Sequence, residues 1–190
     1  MTSIAIFASG SGTNTETIIK YFEDYSNIGI SVVISDNPRA YVLKRAEQLK
    51  VPALVLKKQE YSSGSYLVSL LRNYSVDFIV LAGYLKLIPS SLISAFSSQI
   101  VNIHPALLPK YGGKGMYGDR VHRAVIAANE KESGITIHFV NNKYDDGQII
   151  AQHKCPVYKE DTPDALARRI HHLEHWYYPM EIAKLVKKSM

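Results

Sequence analysis

Short runs of strand-forming residues alternate with segments of helical periodicity along the first half of the chain, and this order limits the fold more than any other feature. Strands that are joined by helical crossovers pair in parallel, and the helices cover both faces of the sheet. We therefore predict an α/β protein with a mostly parallel, twisted, Rossmann-like sheet. The predicted strands are 3–8, 28–34, 53–56, 78–82 and 100–103, and between them apolar residues recur at helical spacing within 18–25, 42–49 and 67–74.

The pattern changes after Pro105. A glycine-rich segment, 111–118, precedes a predicted helix over 120–128 and two strand candidates, 135–140 and 148–157, which would extend the sheet as a late antiparallel addition. A final helix is predicted from Pro163 towards Val186, because proline is favoured in the first turn of a helix. No repeat or linker interrupts the chain, so we expect a single domain over 1–190.

The composition bounds the kind of protein. The 190 residues are 46% hydrophobic, enough for one substantial core, and the net charge of +5 is not concentrated in a basic block. This suits small anionic substrates, with no nucleic-acid or membrane partner expected. Cys155 is the only cysteine, and the chain starts with an apolar stretch too short to be a signal or an anchor. We therefore expect a cytoplasmic protein without a disulfide.

Two polar side chains at the end of the fifth predicted strand are the strongest candidates for catalysis. Asn102 and His104 are two residues apart, so they point to the same face of the strand, roughly 6 to 7 Å from each other. Pro105 ends the strand, which places the pair at the carboxyl edge of the sheet. An amide that stabilises an oxyanion beside an imidazole that moves a proton is typical of acyl or formyl transfer.

The turn after the first strand is a candidate phosphate site. Gly12, Thr13 and Asn14 lie where a helix begins, and free amides at a helix start favour an anion. The spacing from Thr13 to Glu16 also fits a capping box. The alternative is a tight turn that binds nothing. A dinucleotide-binding turn is disfavoured because the third glycine is missing, although Asp36 lies where a ribose-binding acid would be.

Four other segments allow a functional and a structural interpretation each. The turn at Asp145 is ordinarily a solvated turn, but a carboxylate brought to His104 would raise the histidine pKa. The apolar segment 82–89 would line a slot for a flat ring, or simply pack beneath the next helix. His171 and His175 have the spacing of a helical metal pair, but a polar helix face is the favoured interpretation. The segment 112–118 would close over substrates, or serve only as a connection.

Three aromatic residues before Pro179 are predicted to pack rather than to stack on a ligand. They are Trp176, Tyr177 and Tyr178.

Taken together, the motifs of the chain resemble those of the phosphoribosylglycinamide formyltransferases, within the folate-dependent formyltransferase superfamily. The resemblance covers nearly the whole chain. It rests on residues 10–14, 82–84, 102–105 with 107–110, 134–138, 145–147 and 174–175 with 178–179.

The resemblance implies transfer of a formyl group from 10-formyltetrahydrofolate to the amine of glycinamide ribonucleotide, without a metal. Asn102, His104 and Asp145 would be catalytic, and Gly12, Thr13 and Asn14 would hold the substrate phosphate. Two larger sets would bind the rest of the substrates. The folate set is Leu85, Lys86, Leu87, Ile88, Asn102, Asn141, Asn142, Lys143, Tyr144 and Asp145; the ribonucleotide set is His171, His172, Leu173 and Glu174.

The chain departs from the family pattern in two places. Segment 62–65 carries no arginine near the expected position of the folate tail, so Lys86 would supply the positive charge there instead. Segment 112–118 is a long glycine-rich insertion that departs from the pattern of shorter relatives. The nearest alternatives are another formyltransferase or a formylfolate hydrolase of the same superfamily. A noncatalytic phosphate-binding module and a nicotinamide oxidoreductase are the alternatives from other classes.

Overall fold

The computed structural model describes residues 1–62 and 64–188, and the side chains of Ser62 and Lys188 are outside the description. Outside the described residues are therefore Ser63, Ser189 and Met190. Ser63 belongs to the segment 62–65, where the chain departs from the family pattern. The strands are β1 Thr2–Phe7, β2 Ile28–Ser35, β3 Ala53–Val55, β4 Phe78–Leu81, β5 Ile100–His104, β6 Glu132–Phe139 and β7 Ile149–Pro156. The helices are α1 Thr13–Phe22, α2 Val42–Gln48, α3 Lys58–Ser62, α4 Gly64–Asn73, α5 Ser90–Ala95, α6 Asp119–Ala127 and α7 Pro163–Lys188.

The strands form one seven-stranded sheet in the order β3-β2-β1-β4-β5-β6-β7. The first five strands are parallel to one another, while β6 pairs antiparallel with β5 and β7 pairs antiparallel with β6. The order reverses between β1 and β4, and open α/β sheets bind ligands at such a switch point. The predicted fold class is confirmed.

Alternation along the buried strands creates two cores, one on each face of the sheet. In β1, Ile4 and Ile6 face the core covered by α1, α6 and α7, whereas Ala5 and Phe7 face the core covered by α4 and α5. This is the period of two that an extended strand imposes. Complete burial on both faces explains why these strands read as continuous apolar runs.

Helix α7 is hydrogen-bonded to the sheet near the candidate site. Its Tyr178 is fully buried, and the hydroxyl donates to the carbonyl oxygens of Leu81 (2.9 Å) and Val101 (3.4 Å) on β4 and β5. Tyr177 stacks on His153 with 3.6 Å between ring centroids. Trp176, in contrast, is 68% exposed, so the prediction that it packs was wrong. It lies on the side of α7 that faces away from the sheet.

Three other details differ from the sequence predictions. Strand β6 begins at Glu132 and not at residue 135, because polar residues before the apolar run also pair with β7. Two short helices, α3 and α5, were not predicted. None of the described helices is long and apolar enough to cross a membrane.

Candidate active site

Strand β5 presents Asn102 and His104 on one face at its carboxyl end, as the sequence predicts. The neighbouring β6 pairs Asn102 with His138 and His104 with Thr136. The Thr136 hydroxyl donates to the Ala106 carbonyl (2.7 Å) and accepts from the Leu108 amide (3.0 Å), which fixes the chain as it leaves β5. The backbone that follows His104 is therefore fixed by β6, and His104 is only 3% exposed.

Asp145 reaches this pair from the loop between β6 and β7. Its Oδ2 lies 3.4 Å from Nδ1 of His104, and its Oδ1 lies 3.5 Å from Nδ2 of Asn102. The backbone of Asp145 is in the left-handed region (φ 53°), and the Gly113 amide donates to Oδ2 at 2.9 Å. The structure thus brings the three predicted catalytic side chains together, although Asp145 is distant from the other two in sequence.

The charge state of the pair differs from the sequence prediction. Burial lowers the pKa of His104 more than Asp145 and the Tyr111 carbonyl raise it, and His138 lowers it further. Asp145 thus raises the histidine pKa as predicted, but the net pKa is lowered, because removal of the imidazolium from water outweighs one carboxylate. Burial raises the pKa of Asp145, but His138, His104 and the Gly113 amide lower it more. The pair is thus a neutral imidazole beside a carboxylate at neutral pH.

A cavity of about 600 Å³ opens in front of these three side chains. Its walls are the turn after β1, the segment after β4, the glycine-rich segment before α6, the loop between β6 and β7, and two residues of α7. This volume suits ligands the size of a cofactor or nucleotide.

The turn after β1 forms one end of the cavity, and Gly12, Thr13 and Asn14 all line it. Gly12 caps α1 in the left-handed conformation (φ 76°), and no side chain caps the helix. The predicted capping box is therefore wrong: Glu16 pairs instead with Lys20 and with Arg45 of α2. The amides at the start of α1 are left without a side-chain acceptor, which favours an anion there.

Asn14 joins this turn to α7. Its Nδ2 donates to Oε2 of Glu174 at 2.9 Å, while its buried Oδ1 has no hydrogen-bond partner in the described chain. Burial raises the pKa of Glu174, and Asn14 and His171 oppose this only in part. A buried carboxyl and an unsatisfied amide oxygen thus lie together at the end of the cavity formed by the turn after β1.

The candidate folate residues divide into two groups. Leu85, Lys86, Leu87 and Ile88 line the cavity, as do Lys143, Tyr144 and Asp145. Asn141 and Asn142 do not line it, and their assignment stays a prediction. Asn141 is used within the turn, where it accepts from the Lys143 amide (2.9 Å) and donates to Asp146 (3.2 Å).

The segment after β4 both packs into the core and lines the cavity, so both interpretations of the sequence apply to it. Tyr84 and Ile88 are buried in the core beneath, whereas Leu85 and Leu87 are 48% and 38% exposed and face the cavity. Lys86 lies 3.3 Å from Asp36, which also accepts from the Ser9 hydroxyl at 2.6 Å. Asp36 is therefore engaged by these two residues and does not line the cavity, which argues against a ribose-binding role.

In the candidate ribonucleotide set, His171 and Glu174 line the cavity, one helical turn apart on α7. His172 is exposed and Leu173 packs against the core, so neither lines the cavity, and their assignment stays a prediction. The helical period places residues three apart on the same face and their neighbours elsewhere. No group of three or more metal-binding side chains occurs among the described residues.

Sequence reasoning missed two histidines of the cavity wall. His138, 2% exposed, donates from Nδ1 to the Phe139 carbonyl at 2.8 Å, so its Nε2 is free to accept from Asn102 Nδ2 at 3.2 Å. His122 on α6 is 3% exposed, and its Nδ1 has no partner in the described residues. Alternation along β6 could have found His138, because a polar residue among apolar neighbours there must face the end of β5.

The comparisons agree with this geometry. Residues 2–182 match the formyl transferase family model. The fold and the site therefore define the class: the chain belongs to the formyl transferase family.

Individual relatives point to one member of this class. The phosphoribosylglycinamide formyltransferase of Bacillus subtilis is 35% identical over 191 residues, which are 98% of this chain and 95% of that protein. The chloroplastic one of Arabidopsis thaliana is 47% identical over 181 residues, 92% of this chain. The crystal structure of the enzyme of the same name from Bacillus halodurans superposes with a TM-score of 0.88 at 37% identity, over 99% of this chain and 97% of that one. This chain spans 62% of the length of the Arabidopsis protein and of its Vigna unguiculata counterpart.

Proposed function

We propose that this protein transfers the formyl group of 10-formyltetrahydrofolate to the amine of glycinamide ribonucleotide. The observation that carries the proposal is the Asp145 carboxylate 3.4 Å from His104, beside Asn102, in a cavity that also contains the turn after β1. A small molecule with a phosphate at one end and an amine at the other fits this arrangement. The names of the relatives support the same substrates.

Asn102 stabilises the negative charge that develops on the formyl oxygen when the amine adds to the formyl carbon. Its Nδ2 has two hydrogens, and His138 accepts one of them. The second is directed at Asp145, whose Oδ1 is 3.5 Å from Nδ2, and so long a contact is readily exchanged for one to an oxyanion. Because this charge exists only after the addition, the interaction favours the transition state over the bound substrate.

His104 moves the proton. Its Nε2 already donates to the Tyr111 carbonyl at 2.8 Å, so Nδ1, the nitrogen beside Asp145, is the atom that gains and loses a proton. A neutral His104 accepts a proton from the nitrogen of the attacking amine, and the Asp145 carboxylate stabilises the imidazolium. The same proton then passes, directly or through water, to the folate nitrogen as its bond to the formyl carbon breaks. One proton leaves the amine and one reaches the leaving group, so the transfer balances.

The two ends of the cavity bind the two substrates. Gly12, Thr13 and Asn14 bind the phosphate of the ribonucleotide, and His171 and Glu174 bind the rest of it. Leu85, Leu87 and Tyr144 are exposed apolar residues, and they suit the flat ring of the folate. Lys86 provides a positive charge on that side, although Asp36 shares it.

The remaining expectations are proposals of the same kind. The single sheet through β1 to β7 supports one formyltransferase domain over 1–190. A cytoplasmic location stays a prediction, because two relatives are named chloroplastic. The partners are small molecules, and the oligomeric state is left open.

A formyl-transfer assay with both substrates tests the proposal. We expect formylated ribonucleotide to accumulate in step with tetrahydrofolate, and no turnover without the amine. Release of formate in the absence of the ribonucleotide would instead identify a hydrolase. Binding of both ligands without turnover would identify a binding module. Transfer only to a different amine would place the protein elsewhere in the family.

A further inference from the structure

The backbone carbonyl that holds His104 belongs to Tyr111, the last residue before the glycine-rich segment 112–118. The carbonyl oxygen lies 2.8 Å from Nε2 of the imidazole. Two residues later, the Gly113 amide donates to Asp145 at 2.9 Å. This short stretch of backbone therefore contacts both members of the proposed catalytic pair. Glycines follow it directly, so the chain itself offers little stiffness at this point.

The Tyr111 side chain ties the stretch to the end of α6. Its hydroxyl donates to Oε1 of Glu130 at 2.8 Å, and Glu130 follows α6 and its C-terminal turn. The same carboxylate oxygen accepts from Nζ of Lys110 at 2.8 Å. The Tyr111 ring is partly buried against the main core, and its backbone is held at a positive φ of 59°. A non-glycine residue keeps such a conformation only where its surroundings impose it.

We propose that Tyr111 is a positioning residue: its bond to Glu130, outside the cavity, holds the carbonyl that keeps the hydrogen of His104 on Nε2. Since Nε2 then always donates to this carbonyl, Nδ1 is left to exchange its proton beside Asp145. This inference rests on the proposed function for its meaning in catalysis. The geometric part, a tether that sets the tautomer of a buried histidine, does not depend on the substrates.

The charged surroundings of each end of the tether are known. His104 is faced by Asp145, by His138 of β6 and by His122 of α6. Glu130 is faced by Lys110 and Tyr111, and Glu132 adds its charge near Lys110. The Tyr111 carbonyl is one of the two influences that raise the pKa of His104. Release of the carbonyl should therefore lower the pKa of His104 further.

Three variants distinguish the effect of the bond between Tyr111 and Glu130 from that of the neighbouring Lys110. Tyr111→Phe removes the hydroxyl and keeps the ring, Glu130→Gln keeps an oxygen that accepts from the hydroxyl, and Lys110→Met removes only the other partner of Glu130. Nitrogen-15 NMR of the histidine side chains over a pH series reports the tautomer and the titration of His104, whose signals are assigned by their loss in His104→Gln. Steady-state kinetics over the same pH range report kcat and both KM values.

We expect wild-type His104 to carry its hydrogen on Nε2 alone. In Tyr111→Phe we expect a mixture of tautomers, a titration moved to lower pH, and kcat reduced about fivefold, the rate equivalent of one ordinary hydrogen bond. The limb of the kcat profile that reports His104 should move to lower pH by the same amount, with both KM values unchanged. Glu130→Gln and Lys110→Met should match the wild type.

Two results would overturn the proposal. One is an unchanged tautomer and titration of His104 in Tyr111→Phe, whatever happens to the rate. The other is an equal change in Lys110→Met, which would assign the effect to the general surroundings of Glu130. If the wild type had no formyl-transfer activity but the NMR changes occurred as expected, the proposed function would fail while the tether stood.

Discussion

At the scale of single residues, the site is governed by the competition between burial and charge at His104. Burial favours the neutral imidazole, whereas Asp145 and the Tyr111 carbonyl favour the cation. The proposed mechanism needs both influences, because the imidazole has to accept a proton from the amine and then release it to the folate nitrogen. In solvent the carboxylate would be screened and would stabilise the imidazolium much less.

His138 offers a test of how the Asn102 amide is oriented. In His138→Gln the side-chain amide can still offer an oxygen near the position of Nε2, whereas His138→Leu offers no acceptor. We expect the leucine variant to lose about tenfold in kcat, the value of roughly 1.4 kcal/mol, and the glutamine variant to recover most of that loss. The kcat values of both variants measure the effect of the acceptor, and their melting temperatures show whether each variant is folded. Equal kcat losses in both variants would show that the acceptor is irrelevant.

The sequence predicts the relative placement of site residues that are close together in the chain, but not of those that come from distant segments. The period of two along β5 suffices to place Asn102 and His104 on one face. The approach of Asp145 could not be derived in this way, because it depends on a left-handed loop residue between two later strands. The pKa direction of His104 was also out of reach, since it follows from burial by the whole fold. Only the resemblance to a family connected Asp145 to His104 beforehand.

At the scale of elements, the turn from β1 to α1 is shaped by one glycine. Gly12 has φ 76°, and a Cβ atom at this position would lie 2.4 Å from Cγ2 of Val42 on α2. The close approach of α2 to this turn, reinforced by the bond from Arg45 to the Ser11 carbonyl (2.9 Å), leaves no room for a side chain. The turn that leaves the start of α1 without a side-chain cap therefore depends on a glycine, which allows the two helices to meet there.

Gly12→Ala should destabilise the protein by about 1 to 3 kcal/mol, since it combines a strained φ with a steric collision. We also expect a higher KM for the ribonucleotide and an unchanged KM for formylfolate. Chemical denaturation and steady-state kinetics measure the two effects. Gly10→Ala is the matched control for stability, because a Cβ there meets nothing within 4 Å. A variant at Gly12 as stable as this control would show that the turn tolerates a side chain.

Two errors at this scale have a common cause. The capping box at Thr13 was inferred from spacing alone, but Glu16 finds better partners in Lys20 and Arg45. Strand β6 starts earlier than its apolar run because pairing with β7 continues through polar residues. In both cases contacts with other elements, which a local pattern does not contain, decide the outcome. The exposure of Trp176 on α7 is a separate error, because residue type alone does not show which positions of a helix face the sheet.

At the scale of the whole molecule, the fold keeps several histidines neutral. Burial lowers the pKa of four imidazoles below the ordinary value of 6.5; they are His104, His122, His153 and His175. The unfolded chain binds protons at these sites near pH 6.5 while the folded chain does not. Stability from this source is therefore complete above pH 6.5 and is lost as the pH falls below it. The contribution of Glu174 to stability has the opposite pH dependence, because its raised pKa stabilises the folded state at low pH.

We predict that the free energy of unfolding decreases between pH 7.5 and pH 5.5, since four histidines act against one glutamate in this range. Urea denaturation at several pH values measures the slope. The slope should be smaller in His122→Gln, which removes one of the four histidines. A wild-type protein whose stability is constant over this range would show that these histidines titrate alike in both states.

The turnover of Asp145→Asn, measured with formylfolate and glycinamide ribonucleotide, tests the central claim most directly. Asparagine keeps the size of the side chain but removes the charge that stabilises imidazolium at His104. We predict a loss of kcat of about 10² to 10⁴-fold with intact folding and nearly unchanged KM values. Turnover within a few fold of the wild type would contradict the account, because His104 would then move its proton without the carboxylate.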